Sequence, residues 1–155
     1  TNENSWRLFG LKLYGKEMTS ILQGSCLCGK VKYEVAEPFL NFYFCHCTRC
    51  QKSSGSAHAA NLFGGPESVT WLIGKDKIRK YELLQNSCFN KSFCVECGSP
   101  VPSRAKIADV MIIPAGSLEG TPSVSPMNNI FWESRPIWYV DGCNAPKSVG
   151  YPNRG

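Results

Sequence analysis

The chain has 155 residues, enough for one domain with a real core and too few for two. It is 43% hydrophobic and 19% charged, an ordinary globular balance, and its longest apolar runs are far too short to span a bilayer. The formal charge of +5 comes from 17 basic and 12 acidic residues scattered along the chain, so no nucleic-acid tract is present, while small anionic substrates are compatible with it.

The start, "TNENSWRLFGLKLYGKEM", lacks the basic opening, unbroken apolar stretch and cleavage site of a signal peptide. Regular patterning begins after Met18, and residues 1–20 are expected to be a loosely structured N-terminal extension. "KVKYEV" (30–35) alternates, which predicts a half-buried strand with Val31, Tyr33 and Val35 facing inward. "FLNFYF" (39–44) predicts a second strand, and "TRCQKSSG" (48–55) a turn or short helix that Gly55 ends. "AHAANLF" (57–63) and "SVTWLI" (68–73) read as strands around the turn signal Gly64-Gly65-Pro66. "KIRKYELL" (77–84) is expected to be a strand, and "FNKSF" leads into the tight turn of "CVECGSP". "DVMIIPAGSL" (109–118) predicts a buried strand and a loop. "NNIFWE" (128–133) and "PIWYV" (136–140) predict a last strand pair around Ser134-Arg135.

No long amphipathic helical period, internal repeat or low-complexity linker appears. The pattern predicts a single, mainly β domain of short strands over residues 21–142, with residues 143–155 as a loosely held C-terminal tail.

Seven of the nine cysteines fall in tight groups: Cys26 and Cys28, then Cys45, Cys47 and Cys50, then Cys94 and Cys97. Neighbours this close cannot readily bridge each other, but they chelate a metal well. With no export signal at the start, a cytoplasmic protein with thiolate-bound zinc is the economical expectation. "CVECG" (94–98) is a zinc-knuckle pattern, its turn aiming both sulfurs at a point about 2.3 Å away. "SCLCG" (25–29) supplies the other half, so Cys26, Cys28, Cys94 and Cys97 can form a closed four-thiolate site whose role is stability. Four core thiols, an iron–sulfur cluster, or a redox-active Cys94/Cys97 pair are the alternatives.

Cys45 and Cys47 share a face of extended chain, and Cys47-x-x-Cys50 is a second knuckle-type turn. The alternation sends His46 to the opposite face. Three ligands then leave one position for water or substrate, the signature of a catalytic metal, unless His46, Cys88 or Cys143 closes the site. Cys88 and Cys143 otherwise read as isolated thiols, buried or inert at the surface.

Around these motifs each candidate has two readings. His58 in "GSAHAA" is either a satisfied strand histidine or a hydrogen-bonding partner for substrate. Arg49 and Lys52 are either solvated or hold a carboxylate of an anionic thiol substrate. Phe131-Trp132 and Trp138-Tyr139 are expected to be core on one side and pocket rim on the other, with Glu133 and Asp141 as possible proton-transfer partners.

"GSCLCGKVKYEV", "FCHCTRCQKSSGS", "FCVECGSP", "AGSLEG" and "NIFWESRPIWYVDG" resemble, in order and spacing, the glutathione-dependent formaldehyde-activating enzyme family. The resemblance covers residues 21–142. It implies a β-tent, a set of antiparallel sheets pinned by zinc, and two zinc ions per chain. In the resemblance Cys26, Cys28, Cys94 and Cys97 hold a structural zinc, and Cys45, Cys47 and Cys50 a catalytic one. The implied activity is a carbon–sulfur lyase that joins glutathione and formaldehyde as S-(hydroxymethyl)glutathione, or cleaves that adduct. Glutathione or a related small thiol is the partner this implies, with neither nucleic acid nor membrane. Independently of the resemblance, three thiolates weaken zinc as a Lewis acid and favour a soft sulfur substrate over a hard carbonyl or phosphate. The rival expectation is a non-enzymatic, zinc-stabilised binding module of the same fold.

Overall fold

A computed structural model describes residues 20–85 and 88–152. The expected N-terminal extension therefore lies outside the described residues except for Ser20, as do residues 153–155 of the expected tail. The described chain is mainly β, built from short strands in three small sheets.

The first sheet has the order β11-β1-β2-β5, from Leu118–Glu119, Ile21–Ser25, Lys32–Ala36 and Val69–Ile73. Strand β2 forms because its alternation buries one face: Val31, Tyr33 and Val35 are fully buried at the centre of the core. The second sheet has the order β12-β3-β4-β10-β9, from Asn128–Ile130, Asn41–Cys45, Ala59–Gly64, Met111–Pro114 and Ser103–Arg104. The third is β6-β7-β8, from Ile78–Glu82, Asn90–Cys94 and Pro100–Val101. All the pairings are antiparallel except that β12 lies parallel to β3, with Ile130 opposite Cys45. Leu62 of β4 and Ile113 of β10 complete the centre of the core with the β2 side chains.

The helix α1, Thr48–Ser54, matches the short helix expected after the cysteine triple. Gly55 ends it in the left-handed region at φ 67°, its N–H donating to the Gln51 carbonyl at 2.9 Å.

The last predicted strand pair is only half present. Residues 128–130 are strand, but Phe131 takes a left-handed φ of 54° and breaks the extension. A 3-10 turn follows at Trp132–Ser134, and Trp138–Asn144 is a second helix, α2. Aromatic and β-branched content made "PIWYV" resemble a strand. Its ends carry no partner for a ladder, since β12 is paired to β3 instead. The expected core role of this region is also corrected: Phe131 and Trp138 are exposed, Trp132 lies just at the surface, and only Tyr139 is half-buried.

Glu37, at the end of β2, is buried and accepts from the Ser20 hydroxyl and from the Ser123 N–H at 2.7 Å. Burial pushes its carboxyl up, but these donors outweigh burial and hold it below the ordinary 4.5. A lowered folded-state value means stabilisation that is present above the unfolded value and lost as pH falls through the folded one. The urea midpoint should therefore drop on acidification through this range. Glu37→Gln should cost about 1–3 kcal/mol at pH 7 and flatten that acid limb; an unchanged limb would show that Glu37 is not its source.

Candidate metal centre

Two cysteine groups converge. The sulfurs of Cys26, Cys28, Cys94 and Cys97 lie within 4.8 Å of one another, and so do those of Cys45, Cys47 and Cys50.

The four-cysteine group joins two sheets. Cys26 and Cys28 sit in the turn between β1 and β2, while Cys94 ends β7 and Cys97 lies in the turn that leads to β8. Both turns close through a glycine in the left-handed region, Gly29 and Gly98, each at φ 72°. Gly29 N–H donates to the Cys26 carbonyl at 3.0 Å and Gly98 N–H to the Cys94 carbonyl at 2.8 Å. A Cβ at either position would strain the bend that aims the sulfurs inward. The Sγ–Sγ separations are 3.5 Å for Cys26–Cys28 and 3.9 Å for Cys28–Cys94. Tetrahedral thiolate coordination at the usual zinc–sulfur bond length puts sulfurs about 3.8 Å apart, whereas a disulfide needs about 2 Å. The donor set therefore fits a metal ion and is compatible with zinc. The Ser99 oxygen lies 3.3 Å from the Cys97 sulfur, and its hydrogen bond draws that thiol down to about 5. That shift favours the thiolate form a metal requires.

The three-cysteine group follows from the end of β3 and the start of α1. Cys47 is the N-cap residue, with extended dihedrals, and its sulfur accepts from the Cys50 N–H at 3.4 Å. All three residues are buried at the base of the group, packed against Ala59, Phe89 and Ile130. The Cys50 thiol hydrogen-bonds to the Cys45 sulfur and draws Cys45 down to about 6, while that contact together with burial pushes Cys50 up. Three crowded sulfurs, with Cys45 drawn toward its thiolate form, make a donor set that could hold a cation.

His46 is outside the group. It is fully buried, and its Nε2 is 2.9 Å from Asn129 Oδ1. Its ring meets Trp132, Tyr139 and His58 at centroid distances of 5.1, 4.9 and 5.0 Å. Its Nδ1 is buried without a hydrogen-bond partner among the described residues. His58 stacks on Phe44 at 4.3 Å, and its Nδ1 lies 3.2 Å from the Ala59 carbonyl oxygen. That contact assigns the proton to Nδ1 and leaves Nε2 with a free lone pair. Burial lowers the His58 value, so the ring is neutral near pH 7.

A cavity of about 740 Å³ opens over the three-cysteine group and reaches Cys26 at the edge of the other. Cys26, Cys45, Cys47, Cys50 and His58 line it, together with Arg49. Lys52 does not; it is exposed on the other side of α1, as are Glu133 and Asp141 elsewhere on the surface. Cys88 is exposed at the cavity wall, and Cys143 is exposed on α2, so neither joins a cysteine group. Lys91, Phe89 and Glu119 line the cavity without having been singled out from the sequence. Only their strand neighbours mark them, because the fold carries them there from distant positions.

Among known proteins, the sequence model of the family described as glutathione-dependent formaldehyde-activating enzyme matches residues 21–134. A Halomonas elongata protein named "Putative glutathione-dependent formaldehyde-activating enzyme" is 30% identical over 84 residues, 51% of this chain and 53% of that one. The chain thus aligns with about half the length of this curated relative. A crystal structure of a Rhodobacter sphaeroides protein superposes with a TM-score of 0.53 at 21% identity, covering 65% of this chain and 91% of the other, a likeness of fold. No helix among the described residues is long and apolar enough to cross a membrane. With three-quarters of its length matched by the family's sequence model, the chain belongs to the glutathione-dependent formaldehyde-activating enzyme family.

Proposed function

We propose that residues 21–142 form a zinc-dependent carbon–sulfur lyase of the cytoplasm, which makes or cleaves S-(hydroxymethyl)glutathione or a closely related thiol–aldehyde adduct. The observation that carries this reading is the gathering of three sulfurs, rather than four, on the wall of a cavity large enough for a tripeptide. Family membership supports glutathione and formaldehyde as the reactants. A reducing compartment suits a chain whose described cysteines are all free.

Cys26, Cys28, Cys94 and Cys97 would hold a closed, structural zinc, and Cys45, Cys47 and Cys50 a second zinc with a free position. Bound there, zinc would supply a site at which a thiol ionises near neutral pH. The chain's own groups do the rest. Three cysteine sulfurs give the site a soft, electron-rich character that suits sulfur better than oxygen. His58, neutral and with Nε2 unprotonated, accepts the thiol proton. The thiolate sulfur then forms a bond to the aldehyde carbon, and the carbonyl π electrons move to oxygen. That oxygen takes the proton back from His58, leaving a neutral hydroxymethyl thioether. Cleavage runs the same path in reverse.

Purified protein mixed with glutathione and formaldehyde should consume free thiol well above the spontaneous rate, measured against an enzyme-free control. Metal analysis should return two zinc ions per chain. A rate equal to the control with both zinc sites filled would overturn the lyase reading and leave a zinc-stabilised binding module.

A further inference from the structure

We propose that Arg49 and Lys91 form a cationic clamp for a carboxylate of the substrate, on the cavity wall beside Cys45, Cys47 and Cys50. The proposal deepens the lyase reading and rests on it for the identity of the thiol.

Three charged side chains line the cavity among the described residues: Arg49, Lys91 and Glu119. Arg49 immediately precedes Cys50 on α1. Lys91 comes from β7 and reaches the last turn of the same helix, its Nζ donating to the Ser53 carbonyl at 2.8 Å. Ser53 is one helical turn from Arg49, so both cations lie along one flank of α1. Phe89 packs on the cysteine triple, with the Arg49 guanidinium carbon 6.0 Å from its ring centre, and the Lys91 Nζ lies 5.9 Å from the ring centre of Phe93. Arg49 is thus held beside the cysteine triple by its neighbour Cys50 and by Phe89, and Lys91 by its bond to Ser53.

Neither is paired with a carboxylate among the described residues. The ion pairs of the described residues engage Lys30, Lys77, Lys80, Arg104 and Lys106, and neither Arg49 nor Lys91. The one carboxylate on the cavity wall, Glu119, accepts instead from the Ser25 hydroxyl at 3.3 Å, beside the four-cysteine group. Two half-buried cations on a largely apolar wall raise the local potential far more than the same charges in open water. The Arg49 fork offers parallel N–H donors, and Lys91 keeps two of its three after serving Ser53. A thiol that carries a carboxylate satisfies both; a neutral thiol leaves them unmatched.

The test compares glutathione with its dimethyl ester, in which both carboxylates are masked, using the zinc-loaded full chain. The wild type should show a KM about tenfold lower for glutathione than for the ester, and that ratio should fall toward one in Arg49→Gln, with Arg49→Lys intermediate. S-Methylglutathione has a capped sulfur and is not turned over, so its affinity by calorimetry reads the clamp apart from the chemistry. That affinity should fall about tenfold in Arg49→Gln and again in Lys91→Met. Equal KM values for the two thiols in the wild type, or equal S-methylglutathione affinity in wild type and Arg49→Gln, would overturn the clamp. Weakened S-methylglutathione binding in a protein that turns over neither thiol would keep the clamp and sink the lyase. Circular dichroism checks that each variant is folded, and Arg49→Lys with Lys91→Met decides if Arg49→Gln is not.

Discussion

Cys50→Ser should cost at least about 100-fold in the rate of adduct formation while leaving the protein folded. Replacing groups that merely orient a metal ligand already costs 10–100-fold, and this change removes a ligand itself. A serine hydroxyl is harder and far less acidic than a thiol, so it is a poor zinc donor at neutral pH. The helix that carries the residue has other supports. The Gln51 side-chain amide donates to the carbonyls of His46 and Ser134 at 2.6 and 2.8 Å, Lys91 holds Ser53, and Gly55 caps the end. The thermal midpoint should therefore move by only a few degrees, about what a loss near 1 kcal/mol produces. Zinc content should fall from two per chain to one. Retention of full activity with one zinc would remove the three-cysteine group from the chemistry.

Cys94→Ser should act in the opposite way, on the fold before the reaction. Cys94 is fully buried and belongs to the main core cluster together with Cys26. Its group ties the β1–β2 turn of one sheet to the β7–β8 turn of another. Without the metal, those turns are joined by a hydrogen bond from the Leu27 N–H to the Ser99 hydroxyl at 3.1 Å and a surface ion pair from Lys30 to Glu96 at 3.2 Å. Exposed pairs of that kind contribute little. Loss of a structural metal is among the few single changes worth more than about 4 kcal/mol, so the variant should be largely unfolded or insoluble. Urea denaturation followed by tryptophan fluorescence checks this, with Cys50→Ser as the folded comparison. A cooperative wild-type-like transition in Cys94→Ser would show that the group is not what pins the sheets.

What was readable in the sequence was local. The alternation of Val31, Tyr33 and Val35 names the buried face of β2 because strand geometry depends only on neighbours. The same alternation places His46 across the strand from Cys45 and Cys47, and Gly55 marks the end of α1. Lys52 misses the cavity that Arg49 lines for a helical reason: it is two residues past Cys50, about 200° round the helix axis. Lys91 was out of sight because only the pairing of β6, β7 and β8 brings it back to α1. The end of the chain misled for a related reason. Nothing near Asn128 says that its strand will lie parallel to β3, and "PIWYV" has strand-like residues without a strand to join.

The parallel placement of β12 also sets an order of assembly. Cys45, Cys47 and Cys50 are all made within the first third of the chain, yet His46 N–H and the Cys45 edge await Ile130. The four-cysteine group has its last cysteine at residue 97. A chain growing from its N-terminus would therefore gather the cysteines of the four-cysteine group first, with the three-cysteine group sealed only when nearly all of the domain has been made.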